Sequence, residues 1–213
     1  MKFDLHTHTK YSIDGVLEPS VLVKIAMKQG LNGIAVTDHN TIQGGLCAKD
    51  YETPDFHVIV GSEISTERGE VIGLFLSKEI TARCFADVIS QIHDQNGIVI
   101  VPHPFDRVRH SALFPCEYDA CYFDAVESFN SRCIFHHDNE RAQLYAQSCS
   151  LSITAGSDAH LANEIGNAGI IVQDENIKEA IQQHSLKIFG KRTRLVNPLL
   201  TKGLKIWRKI KSG

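Results

Sequence analysis

The chain shows no strong charge of either sign, no apolar run of membrane-spanning length and no paired cysteines, and each absence excludes a class of function. Its 213 residues carry a net charge of −3, so there is no global basic field for holding nucleic acid, and no stable nucleic-acid complex is expected. A membrane-spanning helix needs about 20 consecutive apolar residues, and no run reaches that length. The six cysteines, Cys47, Cys84, Cys116, Cys121, Cys133 and Cys149, form no CxxC pair and no framework spacing. That pattern points to free thiols in a reducing compartment ahead of disulfides, with metal ligation by one of them a lesser reading. The opening residues MKFDLHTH have no secretory signal pattern, so the cytoplasm is the expected location. Ser- or Pro-rich linkers, low-complexity tracts and clear repeats are also missing. One domain is expected at this length.

What is present is ordinary in bulk: 43% hydrophobic and 22% charged residues suit a globular chain. Eleven histidines are many for the length. Strand-like and helix-like patterns alternate. KFDLH, NGIAVTDHN, FHVIVGSEIS, IVIVPHP, FDAVESFN, LSITAGSDAH and NAGIIV read as strands, with GEVIGLFLS a hairpin partner or extra strand. PSVLVKIAMKQG, ARCFADVISQIHDQNG and NERAQLYAQSCS have helical apolar spacing, the first opening on Pro19 and stopping at Gly30. Such alternation implies an α/β fold built on a parallel sheet with crossover helices.

The strands share a feature at their ends. In DLHTHTKYSIDG, residues 4–15, His6 and His8 lie two apart and face the same side of a strand. Asp4 would share that face and Asp14 follows six residues after His8. Later apolar runs end at Asp38 and His39, Glu63, His103, Glu127, and Asp158 and His160. Any one of these has a bland explanation; TDHN, for instance, can cap a helix through Asp38 or Asn40. Recurrence after at least five strands does not, because a parallel barrel brings all its C-terminal strand ends to one face. Imidazole and carboxylate without paired thiolates suit zinc, manganese or iron. A carboxylate such as Glu63 can bridge two ions, and two ions roughly 3.5–4 Å apart form the usual clamp for phosphate-ester hydrolysis.

The motifs HTH, TDHN, GSE, PHP and GSDAH, in this order from His6 to His160, resemble those of the PHP (polymerase and histidinol phosphatase) family. The resemblance implies a distorted seven-stranded β/α barrel over residues 1–197, with two or three divalent ions at its C-terminal rim. Carried over residue by residue, His6, His8, Glu63 and Asp158 resemble one metal site. Glu63, bridging, and His103 resemble a second, with Glu127 the candidate for its remaining ligand and Asn130 behind it. Asp14, His39 and His160 resemble a third, Asp14 standing where some members carry histidine. Asp38 is expected to orient an imidazole. The implied activity is a metal-dependent phosphoesterase, in which a hydroxide bridging two ions attacks a small phosphate ester or nucleotide. Glu63 would act as the bridge, and His160 or a metal-bound water would protonate the leaving alcohol. Alternatives are a histidinol-phosphate phosphatase, a 5'-3' exonuclease-like nucleotide hydrolase and, in another class, a non-catalytic metal-bound regulatory domain. No insertion large enough for a lid domain separates His39 from Glu63.

A phosphate group also needs cationic side chains. Arg107, closest after His103, is the first expectation for a two-pronged clamp, ahead of Arg109, Arg132 and Lys10. His57, His93, His110, His136, His137 and His184 are assigned to surface, helix or packing roles. Residues 198–213 differ in character: Leu204, Ile206, Trp207 and Ile210 alternate with Lys202, Lys205, Arg208, Lys209 and Lys211. The expectation is a basic amphipathic helix that packs its Trp207 face on the barrel, with contact to anionic lipid or a partner as the alternative.

Overall fold

A computed structural model describes residues 1–211; Ser212 and Gly213, the end of the expected C-terminal helix, lie outside the described residues, as do the side chains of Lys205, Lys209 and Ile210. The first strand, β1 (Lys2–Thr7), is buried from Phe3 onward. Helix α1 (Pro19–Lys28) starts on proline, which has no N–H to leave unpaired in the first turn, and buries Pro19, Leu22, Val23 and Ala26. Gly30 ends it with φ of 76°, a left-handed turn that glycine takes without strain. There follow β2 (Gly33–Val36), α2 (Gln43–Lys49), β3 (His57–Thr66), β4 (Gly69–Leu74), α3 (Phe85–His93) and β5 (Ile98–Val101). A 3-10 helix (Glu117–Tyr122) leads to β6 (Ala125–Asn130), α4 (His136–Ser148), β7 (Ser152–Gly156) and β8 (Ala168–Ile171). The chain continues through α5 (Ile177–Gln182), β9 (Lys187–Gly190) and α6 (Val196–Lys211).

The strands form one sheet in the order β7-β6-β5-β4-β3-β2-β1-β8-β9. It curls until β1 meets the end of β7. There the Asp158 N–H donates to the His6 carbonyl at 2.8 Å and the His8 N–H to the Ala159 carbonyl at 2.9 Å. The barrel expected from the sequence is present, with nine strands where seven were expected. Nor is the sheet all parallel: β4 runs antiparallel to β3 and β5, and β8 antiparallel to β1 and β9. Only Glu67 and Arg68 separate β3 from β4, far too few for the crossover a parallel pair requires. Because β4 reverses direction twice over, β5, β6 and β7 point the same way as β1, β2 and β3, and their C-terminal ends share one rim.

Two bulges adjust this rim. Asp4 pairs with Ile34 and Thr7 with Val36, three residues against two. The alternation that would set Asp4 beside His6 is broken there. Phe3 and Leu5 therefore join the apolar cluster with Ile72, Leu74, Ile98 and Ile100 below the rim, while His6 and His8 stand above it. Asp4 instead accepts from the backbone N–H groups of Ser157 and Gly166, both at 2.9 Å, tying β1 to the segment after β7. A second register shift, between Glu127 and Phe129, brings Glu127 and Asn130 together, with Asn130 Nδ2 donating to Glu127 Oε2 at 2.9 Å.

Candidate metal centre

The site is built outward from two imidazoles with fixed tautomers. His6 Nδ1 lies 3.0 Å from Glu127 Oε1, a carboxylate that can only accept. His8 Nδ1 lies 3.0 Å from Ser12 Oγ, whose one proton goes to Asp38 Oδ1 at 2.8 Å, so Nδ1 of His8 is the donor. Asp38 in turn accepts from Thr9 N–H and Oγ1, which gives it the orienting role expected of it. Both rings thereby aim Nε2 inward, and the two Nε2 atoms stand 3.1 Å apart. Burial opposes charge on His6, but Glu127, Asp158 and Glu63 raise its pKa well above the ordinary value. Burial and the neighbouring His160 hold His8 well below it. The two Nε2 atoms are donors that a divalent cation could use, in competition with the proton that the facing carboxylates favour on His6.

Carboxylates close the same point. Glu63, inside β3, places Oε1 2.8 Å from His103 Nε2. Its Oε2 lies 3.1 Å from His39 Nδ1 and 3.5 Å from Nε2 of both His6 and His8. Asp158 Oδ1 lies 3.4 Å from His8 Nε2. Both carboxyl groups are fully buried, and neither Glu63 Oε2 nor Asp158 Oδ1 has a well-formed hydrogen bond. Burial works against ionisation, yet His6 and His39 hold Glu63 well below the usual carboxylate range, and Arg109 and His6 do so for Asp158. Buried charged oxygens without hydrogen bonds are costly unless a cation completes them. The donors fit a divalent ion: His6, His8 and Asp158; His6, Glu63 and His103; His8, His39 and His160; and His39, Glu63 and Glu70 each gather ligand atoms within 4.8 Å. None of these sets includes a cysteine, and the six thiols are free. His103 and Asp158 hold left-handed φ of 29° and 55°, local strain concentrated where the ligands converge.

Above these donors opens a cavity of about 520 Å³, lined by Asp14, His39, Glu70 and His160 at one end and by Arg109, Arg132 and Lys202 along its wall. A family model described as PHP-associated matches residues 136–184. Uncharacterized protein MJ1587 of Methanocaldococcus jannaschii is 41% identical over 150 residues, 65% of this chain and 85% of its own length. A second protein of that organism, MJ0417, is 33% identical over 187 residues, 84% of this chain and 73% of its own length. The fold is similar to part of a two-domain protein from Bacteroides vulgatus containing a predicted PHP-like metal-dependent phosphoesterase: TM-score 0.73, 19% identity, 95% of this chain and 69% of that one. The chain belongs to the PHP family.

The PHP motifs end up where the strand directions send them, but Glu127 and Arg107 fall differently from the expectation. Glu127 stands behind His6, its oxygens taken by His6 Nδ1, the His103 N–H at 2.7 Å and Asn130, and it belongs to none of the four donor sets. It is placed to support a ligand more than to be one. Asp14 stands with the partners expected of it, 3.5 Å from a His39 ring nitrogen and 3.2 Å from one of His160, although it enters none of the four donor sets. Arg107 turns away from the cavity: it is half exposed, pairs with the buried Asp138 at 2.9 Å and covers the Phe135 ring. Its neighbour Arg109 reaches inward, to Asp158 and to Asp106 at 3.0 Å. Arg132 spans His160 Nδ1 at 2.8 Å and Glu164 at 3.2 Å. Lys10 is occupied at the surface by Glu18, and His110, set aside as a surface residue, lines the cavity mouth. Glu70 was missed. It precedes an apolar run instead of following one, and only the antiparallel course of β4 carries its N-terminal end to the rim.

Proposed function

We propose that this PHP protein is a metal-dependent phosphoesterase acting on a small phosphate ester, with nucleotides within the range of candidates. One observation carries the reading: two inward Nε2 atoms 3.1 Å apart, ringed by buried Glu63 and Asp158 oxygens, in a donor cluster whose His39, Glu70 and His160 line a cavity walled by Arg109, Arg132 and Lys202. His6, His8, Glu63, Asp158, His103, His39, His160 and Glu70 are the donors available to two or three ions of zinc, manganese or iron, which when bound supply Lewis acidity at the phosphoryl group.

The chain's own contribution is orientation and charge. Arg109, partly exposed and held by Asp106 and Asp158, turns its guanidinium toward the cavity to take a phosphoryl oxygen, while Arg132, buried with Nη1 on His160 and Nη2 on Thr201, adds positive charge to the wall. Arg132 also fixes the His160 ring, whose Nε2 faces the cavity end near Asp14. That nitrogen is a metal donor when an ion occupies the His8, His39 and His160 set, and can pass a proton to a departing alcohol only where that set is left empty. Glu127, Ser12 and Asp38 keep His6 and His8 in one tautomer, so the donors need no reorganisation. The cavity volume lies in the range of small-ligand pockets.

The test is phosphate release across mono- and diesters by protein reconstituted separately with manganese, zinc and iron. Turnover of at least one ester, abolished by chelation, is expected. Protein that retains two or more ions and turns over none would overturn the reading in favour of a non-catalytic metal-bound domain.

A further inference from the structure

Helix α6 is amphipathic in the wrong sense for a helix packed on a barrel. Its buried positions are polar: Asn197 is 3% and Thr201 4% exposed. Thr201 accepts from Arg132 Nη2 at 2.5 Å, Asn197 donates to Asn163 at 3.2 Å, and Arg208 donates to the carbonyls of Ser12, Ile13 and Gly15. The apolar stripe points outward. Val196, Leu199, Leu200, Ile206 and Trp207 are each 51% to 70% exposed and follow helical spacing along one face. The expectation that the Trp207 face packs on the barrel is thus reversed, because polar hydrogen bonds to Arg132, Asn163 and the Ser12–Gly15 loop hold the opposite face down.

The charge around this stripe is equally one-sided. Residues 191–211 contain eight Lys or Arg and no Asp or Glu, while the remaining chain contains 14 basic and 25 acidic residues. Lys202 and Lys211 are exposed on α6 itself. An outward stripe of leucine, isoleucine and tryptophan within a strongly basic segment is the composition of a helix lying in a lipid interface. At 16 residues it is about 24 Å long, and no described helix is long and apolar enough to cross a membrane. A second copy fits less well, since a two-fold contact through this face would bring two such basic segments together.

We propose that α6 seats the protein on an anionic lipid surface, with Leu199, Leu200, Ile206 and Trp207 entering the headgroup region and the flanking lysines meeting lipid charge. Lys202 and Ile206 also line the cavity, so the docked helix would hold the cavity mouth at the lipid surface. This inference does not depend on which ester the site accepts.

Trp207 is the only tryptophan in the chain and reports directly. The full chain, mixed with vesicles of phosphatidylcholine and phosphatidylglycerol in equal parts, should co-sediment and shift its tryptophan emission to the blue. Vesicles of phosphatidylcholine alone should give little of either, and added salt should release the protein. Replacing Leu199→Ser together with Leu200→Ser, both at the surface, should weaken partitioning about tenfold or more, and Lys211→Gln about fivefold. Absence of binding by the unaltered chain overturns the proposal whatever the variants do. Equal binding to both vesicle types, or unchanged binding of the double serine variant, also overturns it. So does a blue-shifted dimer in the absence of lipid, which would assign the face to a second copy.

Discussion

Gly156 shows how tightly single residues set the metal centre. A Cβ built there would lie 2.3 Å from the Cβ of His6 and 2.7 Å from Glu127 Oε1, so the hydrogen bond that fixes the His6 tautomer exists only because this position has no side chain. Gly156→Ala should lower metal affinity by about 10- to 100-fold, the usual scale for disturbing a ligand's support, with a stability loss of about 1–3 kcal/mol from overpacking. Gly30→Ala is the control, since nothing lies within 4 Å of a Cβ there; it should cost stability through its left-handed backbone and leave metal binding unchanged. Titration of apo protein with zinc separates the two. The arginines divide similarly. Arg109→Ala should reduce kcat/KM about 10- to 100-fold, the loss of one charge-assisted contact, and Arg132→Ala should also reduce it, by removing positive charge from the wall and releasing the His160 ring. Arg107→Ala should leave kcat/KM nearly intact and cost about 1–3 kcal/mol of stability by stripping buried Asp138 of its partner. A larger kinetic effect at Arg107 than at Arg109 would return the clamp to the residue that sequence proximity favours.

Among the elements, β4 decides what could be read in advance. His6, His8, His39, Glu63, His103, Asp158 and His160 were legible because they end or interrupt apolar runs on strands of one direction, and the structure brings all seven into donor sets. Glu70 was not, since a strand entering from the rim carries its functional residue at its start. Helix α2, QGGLCAK, was invisible because two glycines and seven residues leave no helical period. Strand β9 is four partly exposed residues with no apolar alternation. Bulges are likewise silent in a pattern of twos, so alternation alone sets Asp4 on the His6 face, and the spacing of DAVES does not tell a ligand from a carboxylate standing behind one. The direction of Arg107 and Arg109 depends on loop geometry that spacing does not encode. The antiparallel course of β4 has its own consequence: Glu70→Gln should selectively weaken the ion held through His39 and Glu63, leaving the ions reached by His6 and His8 in place. Metal content after dialysis should fall by part of the total, whereas Glu63→Gln, which serves two of the four donor sets, should lose more.

At the scale of the whole molecule, protons and metal ions compete for one buried cluster, and stability should follow that competition. In the metal-free protein His6 and His39 have pKa values well above 6.5, because facing carboxylates outweigh the burial that opposes their charge. A histidine whose folded pKa is raised contributes stability fully present below its unfolded value and lost as pH rises through the folded one. The apo protein should therefore weaken from about pH 6.5 upward as these imidazolium groups discharge among Glu63, Asp158, Glu127 and Asp14. Glu63 and Asp158 are shifted the other way, held low by His6 with His39 and by Arg109 with His6. Their contribution is present above the ordinary carboxylate pKa and fails only in acid. Metal loading has the opposite slope to the raised histidines. An ion must displace the His6 and His39 protons, so its affinity grows with pH, and the stabilisation it confers grows as RT ln(1 + [M]/Kd). The gap in Tm between zinc-loaded and chelated protein should accordingly widen from about pH 6 to about pH 9, with proton release on zinc addition visible by calorimetry in buffers of differing ionisation enthalpy. A gap that stays constant, with no protons released, would mean that the imidazoles facing each other at the rim are not the groups that hold the ion.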